Sequence, residues 1–319
     1  MQNKLSIIVG GSGQIGICLA QLLLKKNYKV VITTRNILRA KKKISIKDKK
    51  LIYFKLNVLN KKEIFNLFQK FKASYIFYFA GQSSPFRSFK KKKITFLSNV
   101  QGCENFLKII EKLNINIKFI NASSSEIFSK TNEKKTITSE KKPISPYGVA
   151  KLASFNKTKY FRNNKNIKAY NAIFYNTESY YRDNFFLIPK ICIAAINAHK
   201  FNTKTSFGNL NIVREWNWGD EQVKYLLKFL KKKPQDFILS NGKFYSAKEM
   251  LDFAFQYFNL DYRLYIKKKS KLFRKKDFKI RKSNFKSCLL RNNLSRKSLI
   301  YGKNLVHKLI KYYLNEKKY

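Results

Sequence analysis

The sequence predicts an α/β protein built on a doubly wound parallel sheet. Residues 5–9 (LSIIV) form a short apolar run, which is typical of a strand that is buried on both faces. A glycine-rich turn, GGSGQIG, follows, and residues 17–28 then repeat apolar side chains at helical spacing before a second strand at 29–35. This order is one βαβ unit, and its repetition along the chain predicts parallel strands with helices on both faces.

The same alternation continues to about residue 176 and then breaks. The further elements predicted up to that point are strand 51–58, helix 61–71, strand 74–81, helix 94–113, strand 117–124, helix 146–164 and strand 167–176. The elements predicted beyond it are helices 184–200 and 218–233, strand 236–242, a helix opened by Ser246, and an amphipathic helix at 302–314. We therefore predict one domain over 1–176 and a smaller portion over 177–319, some segments of which return to the first domain.

The chain is strongly basic, with 68 Lys and Arg against 18 Asp and Glu and a formal net charge of +50. The lysines are spread over the whole sequence and are accompanied by many Asn, Ile, Phe and Tyr, which is the amino-acid usage of an AT-rich genome. This pattern does not indicate a selected binding face, so we expect no nucleic-acid partner. A basic surface is nevertheless compatible with an anionic small molecule.

Neither a membrane segment nor a metal site is predicted. No apolar run approaches the ~20 residues that span a bilayer, and the first residues do not resemble a signal peptide, so a cytoplasmic location is expected. The cysteines and histidines are isolated in the sequence, which favours buried reduced thiols over a disulfide framework or a zinc site. These residues are Cys18, Cys103, Cys192, Cys288, His199 and His307.

Three glycines between the first strand and the first helix predict a dinucleotide site. Gly10, Gly13 and Gly16 form a GxxGxxG pattern, in which glycine lets the backbone approach a pyrophosphate at the helix N-terminus. Arg35 follows the second strand, with Arg39 close behind it. An arginine at this place suits a ribose 2′-phosphate, which favours NADP over NAD, although Arg35 could also be one more exposed cation.

Two further motifs predict acid–base chemistry. Tyr147 and Lys151 are four residues apart on a predicted helix, so that a lysine ammonium could lower the pKa of the tyrosine and let a phenolate act as a base. Glu126 directly follows three serines where a strand ends. The alternatives are a surface Tyr/Lys pair and, for Glu126, a helix cap or an ion pair in a lysine-rich surface.

Together these motifs resemble the extended short-chain dehydrogenase/reductases, which have a Rossmann-type fold, and more narrowly the GDP-mannose 4,6-dehydratase family. The matching stretches are the GxxGxxG turn, Ala80-Gly81-Gln82-Ser83, Ser123-Ser124-Ser125-Glu126, SPYGVAK at 145–151, Asn176-Thr177-Glu178-Ser179, and Gly208-Asn209-Leu210 with Arg214-Glu215-Trp216. The resemblance runs from residue 5 to about 260. FRKKDF near 273 is a degraded counterpart of the family's Arg-Pro-x-Glu.

The resemblance implies a nucleotide-sugar lyase that uses NADP and converts GDP-mannose to its 4-keto-6-deoxy product. It implies that Tyr147 takes the O4 proton, Lys151 holds the cofactor ribose and tunes Tyr147, and Ser124 hydrogen-bonds O4. Glu126 would remove the C5 proton and then protonate the departing C6 hydroxyl. The implied cofactor-binding residues are Gly10, Gly13, Gln14, Gly16, Arg35, Asn57, Val58, Ala80, Gly81, Gln82, Lys151 and Arg182. The implied substrate-binding residues are Ser83, Ser125, Asn176, Glu178, Lys190, Asn209 and Arg214.

The sequence also departs from the family pattern. Asn57 replaces an aspartate near the adenine, Thr177 a histidine, Tyr181 the first of two arginines, and Ser129 and Asp183 glycines. The family's loop after the second strand is changed as well, and the resemblance implies a homodimer or homotetramer. Two alternatives stay open: another dehydratase, epimerase or reductase of the same family, and a sequence-drifted member without catalysis. Glu126 argues against an epimerase or a simple reductase, because neither needs an additional acid–base group beside C5 and C6.

Overall fold

The centre of the molecule is a seven-stranded sheet in which every strand pair is parallel. The structure, a computed structural model, describes residues 4–130, 133–269, 280–284 and 300–316. The strands of the sheet are β1 (Leu5–Val9), β2 (Lys29–Thr34), β3 (Leu51–Lys55), β4 (Tyr75–Tyr78), β5 (Lys118–Ser124), β6 (Ala169–Phe174) and β11 (Asp236–Leu239). Their order across the sheet is β3-β2-β1-β4-β5-β6-β11, which confirms the predicted fold class.

Helices cover both faces of this sheet. They are α1 (Gln14–Lys25), α2 (Ile37–Lys43), α3 (Lys61–Lys70), α4 (Pro85–Ser88), α5 (Lys92–Phe96), α6 (Gly102–Lys112), α7 (Pro146–Asn164) and α9 (Gly219–Phe229). Apolar side chains of α1 and α9 form one core cluster against the sheet, and those of α3 and α6 form another. Burial on both faces explains why the strands are nearly continuous apolar runs in the sequence.

The helix predicted at 94–113 begins earlier and is not uniform. It consists of α5, a π-helical stretch at Leu97–Gln101, and α6. Within this stretch the carbonyl of Ser98 accepts a hydrogen bond of 2.7 Å from the Tyr78 hydroxyl, and Asn99 Nδ2 donates to the carbonyl of Gln82 at 3.2 Å. These contacts come from residues that are distant in the sequence, so helical periodicity alone could not predict the wider turn.

The remaining elements form a second layer beside the sheet. Three two-stranded pairings occur here: β7 (Asn176–Glu178) with β10 (Trp216–Trp218), β9 (Val213–Arg214) with β12 (Tyr245–Ser246), and β8 (Thr205–Phe207) with β13 (Ile266–Lys268). Helices α8 (Leu187–Phe201), α10 (Ala247–Gln256) and α11 (Gly302–Asn315) share one apolar core. Ser246 caps α10 in a capping box with Glu249, as the predicted helix start required.

Several predicted boundaries are wrong. The strand predicted at 167–176 is divided between β6 and β7, which belong to different sheets. The helix predicted at 218–233 ends at Phe229, and the strand predicted at 236–242 ends at Leu239. FRKKDF near 273 lies outside the described residues.

Residues from the second half of the chain complete the large sheet. Strand β11 pairs with β6, and helix α9 packs against α1, so residues 219–239 return to the first part of the chain. The division at residue 176 itself stays a prediction. Across the described ranges, no helix is both long enough and apolar enough to cross a membrane.

A polar cluster joins α7, β6 and β11, and we expect its removal to destabilise the protein. Partly buried Asp236 accepts hydrogen bonds from partly buried Arg162 Nη1 at 2.8 Å and from buried Asn171 Nδ2 at 2.9 Å. Asp236→Ala should lower the free energy of unfolding by about 2 kcal/mol, because a guanidinium and a buried amide lose their carboxylate partner. Urea denaturation would measure the change. Glu111→Ala, which breaks the exposed pair with Lys165, is the control and should leave the midpoint nearly unchanged.

Candidate active site

The glycine turn lies directly after β1 and leads into α1. Gly10 has φ +76°, and a Cβ atom built there would lie 2.6 Å from the Cα of Ala80. Gly13 is the N-cap of α1 and supplies no side-chain hydrogen bond to the first turn of the helix, while Gly16 is buried in that turn. The turn therefore combines backbone that only glycine fits with helix N–H groups that an anion can bind.

Gln14 connects this turn to the segment after β6. Its Nε2 donates to the carbonyl of Thr177 at 3.1 Å, and its Oε1 accepts from the Ser179 hydroxyl at 3.0 Å. The Tyr181 hydroxyl accepts from Gln21 Nε2 at 2.7 Å. Thr177 and Tyr181, two residues at which the chain departs from the family pattern, thus contact helix α1.

The other candidate cofactor residues lie at the carboxyl ends of neighbouring strands. Arg35 follows β2 and is exposed, and Arg39 is exposed in α2. Asn57 follows β3, where its backbone N–H donates to Glu63 at 2.7 Å, and the carbonyl of Val58 accepts from Asn105 at 3.1 Å.

The stretch that follows β4 holds the next group. Ala80 and Gln82 are half-buried, whereas Gly81 and Ser83 are exposed. The side chain of Gln82 is fixed by two hydrogen bonds to the backbone of Ser84, of 2.7 and 2.8 Å. The carboxyl ends of β1, β2, β3 and β4 thus place all these candidates at one edge of the sheet, as expected for a doubly wound fold.

The four candidate catalytic residues come together at the end of β5. Ser124 is the last residue of that strand, and its Oγ accepts from the backbone N–H of Glu126 at 3.2 Å, which caps a short 3₁₀ turn at Ser125–Ile127. Helix α7 begins at Pro146 and brings Tyr147 against this turn, where its phenol interacts with the Ser124 hydroxyl. All four residues, including Lys151, are buried.

The local electrostatics differ from the prediction for Tyr147. Burial raises the pKa of Tyr147 to about 12, although the hydrogen bond with Ser124 opposes this shift. Lys151 Nζ donates to the carbonyl of Ala122 at 2.8 Å and lies 5.8 Å from the centre of the Tyr147 ring. Burial lowers the pKa of Lys151 to about 8, so its ammonium form still predominates at pH 7. The predicted lowering of the pKa of Tyr147 is therefore wrong.

Glu126 forms a buried ion pair with Arg281. The exposed fractions of the two side chains are 10% and 4%, so the pair is neither a helix cap nor a surface contact. Arg281 belongs to segment 280–284, for which the sequence predicts no helix or strand. No local pattern marks Arg281 among the 68 Lys and Arg of the chain, so only the folded structure identifies it.

The candidate substrate residues occupy more varied positions. Ser125 is buried in the same 3₁₀ turn as Glu126. Glu178 is buried at the end of β7, where burial raises its pKa to about 7, and the Nε atom of Arg182 lies 3.8 Å from its carboxylate. The guanidinium of Arg182 also stacks on Phe186 at 3.4 Å.

Four further candidates lie in the second layer. The carbonyl of Asn176 accepts from Asn217 Nδ2 at 3.0 Å, and Lys190 Nζ donates to the carbonyl of Ser206 at 2.6 Å. Asn209 is exposed, whereas Arg214 is buried in β9.

Two other departures from the family pattern form side-chain contacts. Asp183 forms an ion pair of 3.1 Å with Lys43, and Ser129 accepts from Lys135 at 3.4 Å. The contact of Asp183 links the loop before α8 to α2, and that of Ser129 lies on the chain that follows the 3₁₀ turn.

A glycine turn after the first strand, beside a buried Ser–Tyr–Lys set on β5 and α7, defines an extended short-chain dehydrogenase/reductase. The chain belongs to the GDP-mannose 4,6-dehydratase family, whose model matches residues 7–303. This confirms the resemblance recognised in the sequence.

Individual relatives agree with this assignment. The chain is 29% identical over 267 residues to a GDP-mannose 4,6-dehydratase of Vibrio cholerae serotype O1, covering 80% of this chain and 72% of the relative. It is 26% identical over 300 residues to GDP-mannose 4,6 dehydratase 1 of Arabidopsis thaliana, covering 85% of this chain and 80% of the relative.

Solved structures share the fold. DesIV, a dTDP-glucose 4,6-dehydratase from Streptomyces venezuelae with NAD and TYD bound, superposes with a TM-score of 0.84 at 17% identity, covering 98% of both chains. A UDP-glucose 4-epimerase from Thermus thermophilus in complex with NAD superposes with a TM-score of 0.81 at 16% identity, covering 96% of this chain and 99% of its own.

The glycine turn allows a matched test of its packing. Gly10→Ala should lower the free energy of unfolding by about 2 kcal/mol, because the new methyl group meets the Ala80 backbone and the left-handed φ strains a side chain. Gly13→Ala is the control, since its Cβ would meet nothing closer than the carbonyl oxygen of Gly10 at 3.4 Å. Thermal and urea unfolding would measure both variants. Equal stability of the two would contradict the tight packing inferred at Gly10.

Proposed function

We propose that this protein is a sugar-nucleotide dehydratase that converts GDP-mannose to GDP-4-keto-6-deoxymannose with a nicotinamide cofactor, NADP in preference to NAD. The observation that carries the proposal is the position of Glu126, a buried carboxylate that follows Ser124 on the turn against which Tyr147 packs. Plain dehydrogenation at C4 needs a hydroxyl, a tyrosine and a lysine. The elimination of water across C5 and C6 needs one additional acid–base group, and Glu126 is available for it.

The residues at the sheet edge fit a dinucleotide. The side-chain-free glycine turn and the N-terminus of α1 suit a pyrophosphate, and the buried Lys151 ammonium suits a ribose hydroxyl. The proposed cofactor-binding set is Gly10, Gly13, Gln14, Gly16, Arg35, Asn57, Val58, Ala80, Gly81, Gln82, Lys151 and Arg182. A nicotinamide bound here would supply a hydride acceptor for C4 of the sugar and a hydride donor for C6.

Tyr147 and Ser124 would act at C4. The Ser124 hydroxyl would hydrogen-bond O4 of the sugar, and Tyr147 would take the O4 proton as the C4–H bond breaks and the ketone forms. The phenol needs nearby positive charge to ionise, because burial raises its pKa to about 12. Lys151 and Arg182 are the cations that would supply it, and the charge of Arg281 acts on the phenol less than that of Arg182 does.

Glu126 would act at C5 and C6. The new C4 ketone makes the C5 proton acidic, and the Glu126 carboxylate would remove it. The C6–O bond would then break, and the protonated Glu126 would give its proton to the departing hydroxyl, which leaves as water. Return of hydride to C6 and of a proton to C5 completes the reaction, so that the net change is the loss of one water molecule.

The remaining parts of the proposal concern the substrate, the assembly and the location. Ser83, Ser125, Asn176, Glu178, Lys190, Asn209 and Arg214 would contact the sugar nucleotide. A homodimer or homotetramer in the cytoplasm, without a nucleic-acid or membrane partner, accords with the family. An epimerase or a simple reductase is disfavoured because neither reaction uses a carboxylate at position 126.

The reaction can be tested by mass. Purified protein with NADP and GDP-mannose should produce a sugar nucleotide that is lighter by one water, without net accumulation of reduced cofactor. Glu126→Gln should slow water loss by about a hundredfold or more, because the amide cannot accept the C5 proton. Glu111→Gln, which changes an exposed glutamate paired with Lys165, is the control. Water loss from other sugar nucleotides alone would contradict the substrate, and no reaction together with no cofactor binding would favour a non-catalytic member.

The cofactor preference depends on Arg35. We expect Arg35→Ala to weaken NADP binding about tenfold and to leave NAD binding nearly unchanged, because a guanidinium pairs with a phosphate that NAD lacks. Calorimetric titration with each cofactor would measure this. Lys42→Ala removes an exposed cation from the neighbouring helix α2 and is the charge-matched control. Equal losses for both cofactors would contradict a 2′-phosphate contact.

A further inference from the structure

Segment 280–284 enters the site and is held there by its backbone. The N–H of Lys135 donates to the carbonyl of Lys282 at 3.0 Å, and the N–H of Asn284 donates to the carbonyl of Lys135 at 2.7 Å. The Tyr175 hydroxyl donates to the same Lys282 carbonyl at 3.3 Å. The segment is thus fixed on one side by residues that follow the turn of Glu126.

On its other side the segment is anchored by a fully buried carboxylate. Glu215, which is 0% exposed, accepts hydrogen bonds from the backbone N–H of Ser283 and from the Ser240 hydroxyl, and from the N–H of Gly242 at 3.2 Å. The hydroxyls of Ser240 and Ser283 also lie 2.8 Å apart. Glu215 therefore binds segment 280–284 to the end of β11. The charged group that acts on Glu215 from the segment is Lys282.

This anchoring brings Arg281 into contact with Glu126. The backbone N–H of Arg281 donates to the carbonyl of Val213 at 3.1 Å, and its guanidinium donates to the Glu126 carboxylate. Among the described residues, Tyr147 on α7 interacts electrostatically with both members of this pair and with Arg182, which follows β7.

Burial by itself disfavours the ionised form of a carboxylate. Burial raises the pKa values of Glu178, Glu215 and Glu221 to about 7 in the same molecule. A base that removes the C5 proton must be ionised, and a guanidinium partner favours the ionised form and fixes its orientation.

We propose that Arg281 is a positioning residue that keeps Glu126 ionised and oriented for the elimination step, and that Glu215 sets the place of Arg281 by anchoring segment 280–284. This inference rests on the proposed function. It assigns to the elimination step a pair of residues, Arg281 and Glu215, whose main effect is on Glu126 and only weakly on the C4 base Tyr147.

Measuring the oxidation at C4 and the elimination of water separately distinguishes this positioning role from a general structural one. The reaction would be quenched within a single turnover and the mass of the sugar nucleotide measured. A loss of two hydrogens then reports the C4 ketone, and a loss of water reports the elimination. Arg281→Met and Glu215→Ala should slow water loss about tenfold or more, while ketone formation changes less than about threefold, so that the ketone accumulates. Arg281→Lys should restore part of the rate. Lys282→Met removes the adjacent cation, which stacks on Phe244 at 4.0 Å, and is the matched control.

The pH dependence gives a second signature. Without Arg281 the ionised form of Glu126 is less favoured, so the acidic limb of the elimination rate should move to higher pH in Arg281→Met. Raising the pH should then recover part of the lost rate. The inference would be overturned if the rates of C4 oxidation and of elimination fell together in Arg281→Met, or if the acidic limb of the elimination rate did not move. An equally large loss of the elimination rate in Lys282→Met would overturn it as well.

A stability measurement keeps the inference testable if the wild type does not dehydrate GDP-mannose. Failure of the wild type would refute the proposed function alone. Glu126→Gln and Arg281→Met, singly and together, should show a coupling of about tenfold in the unfolding equilibrium constant. That coupling should disappear in the Glu215→Ala background. Additive effects in the wild-type background would overturn the contact, and a coupling that persists without Glu215 would overturn the anchoring.

Discussion

The geometry of the site depends on the close packing of α7 against the turn that follows β5. A Cβ atom at Gly148 would lie 2.5 Å from the carbonyl oxygen of Glu126, so the helix can approach the turn only where no side chain is present. Serine caps fix both partners, because Ser145 accepts from the N–H of Gly148 and Ser124 accepts from the N–H of Glu126. One backbone contact thus sets the distance between the tyrosine of one element and the carboxylate of the other.

The few buried charged residues matter more for the chemistry of the site than the many charged residues on the surface. The chain carries a formal net charge of +50 and only 18 acidic residues, yet several of those acids are buried. In the part of the chain that the structure describes, the buried carboxylates have a cation or hydrogen-bond donors beside them, as in the pair of Glu126 with Arg281 and in the backbone N–H of Gly242 that donates to Glu215. The surface lysines say little about activity, whereas these few internal pairs determine which groups can be ionised.

Local sequence signals were sufficient to predict the elements whose ends are marked by residues in the element itself or next to it. Helix α7 runs over the predicted residues because Ser145 and Pro146 mark its start, and the glycine pattern after β1 predicts a turn that the structure contains. The division between β6 and β7 could not be predicted, since it depends on pairing with strands forty or more residues further along the chain. Arg281 could not be predicted either, because a single arginine in a basic stretch has no periodicity, and its place is set by Glu215.

The seventh strand has a consequence for how the chain reaches its final form during synthesis. Strand β6 is complete at residue 174, but its outer neighbour β11 spans Asp236–Leu239, so a nascent chain exposes an unpaired sheet edge until some sixty further residues have left the ribosome. Unpaired edges attract other chains, and contacts between residues far apart in sequence form slowly. The late strand therefore makes translation speed and early chaperone capture relevant to the yield of this protein in the cell.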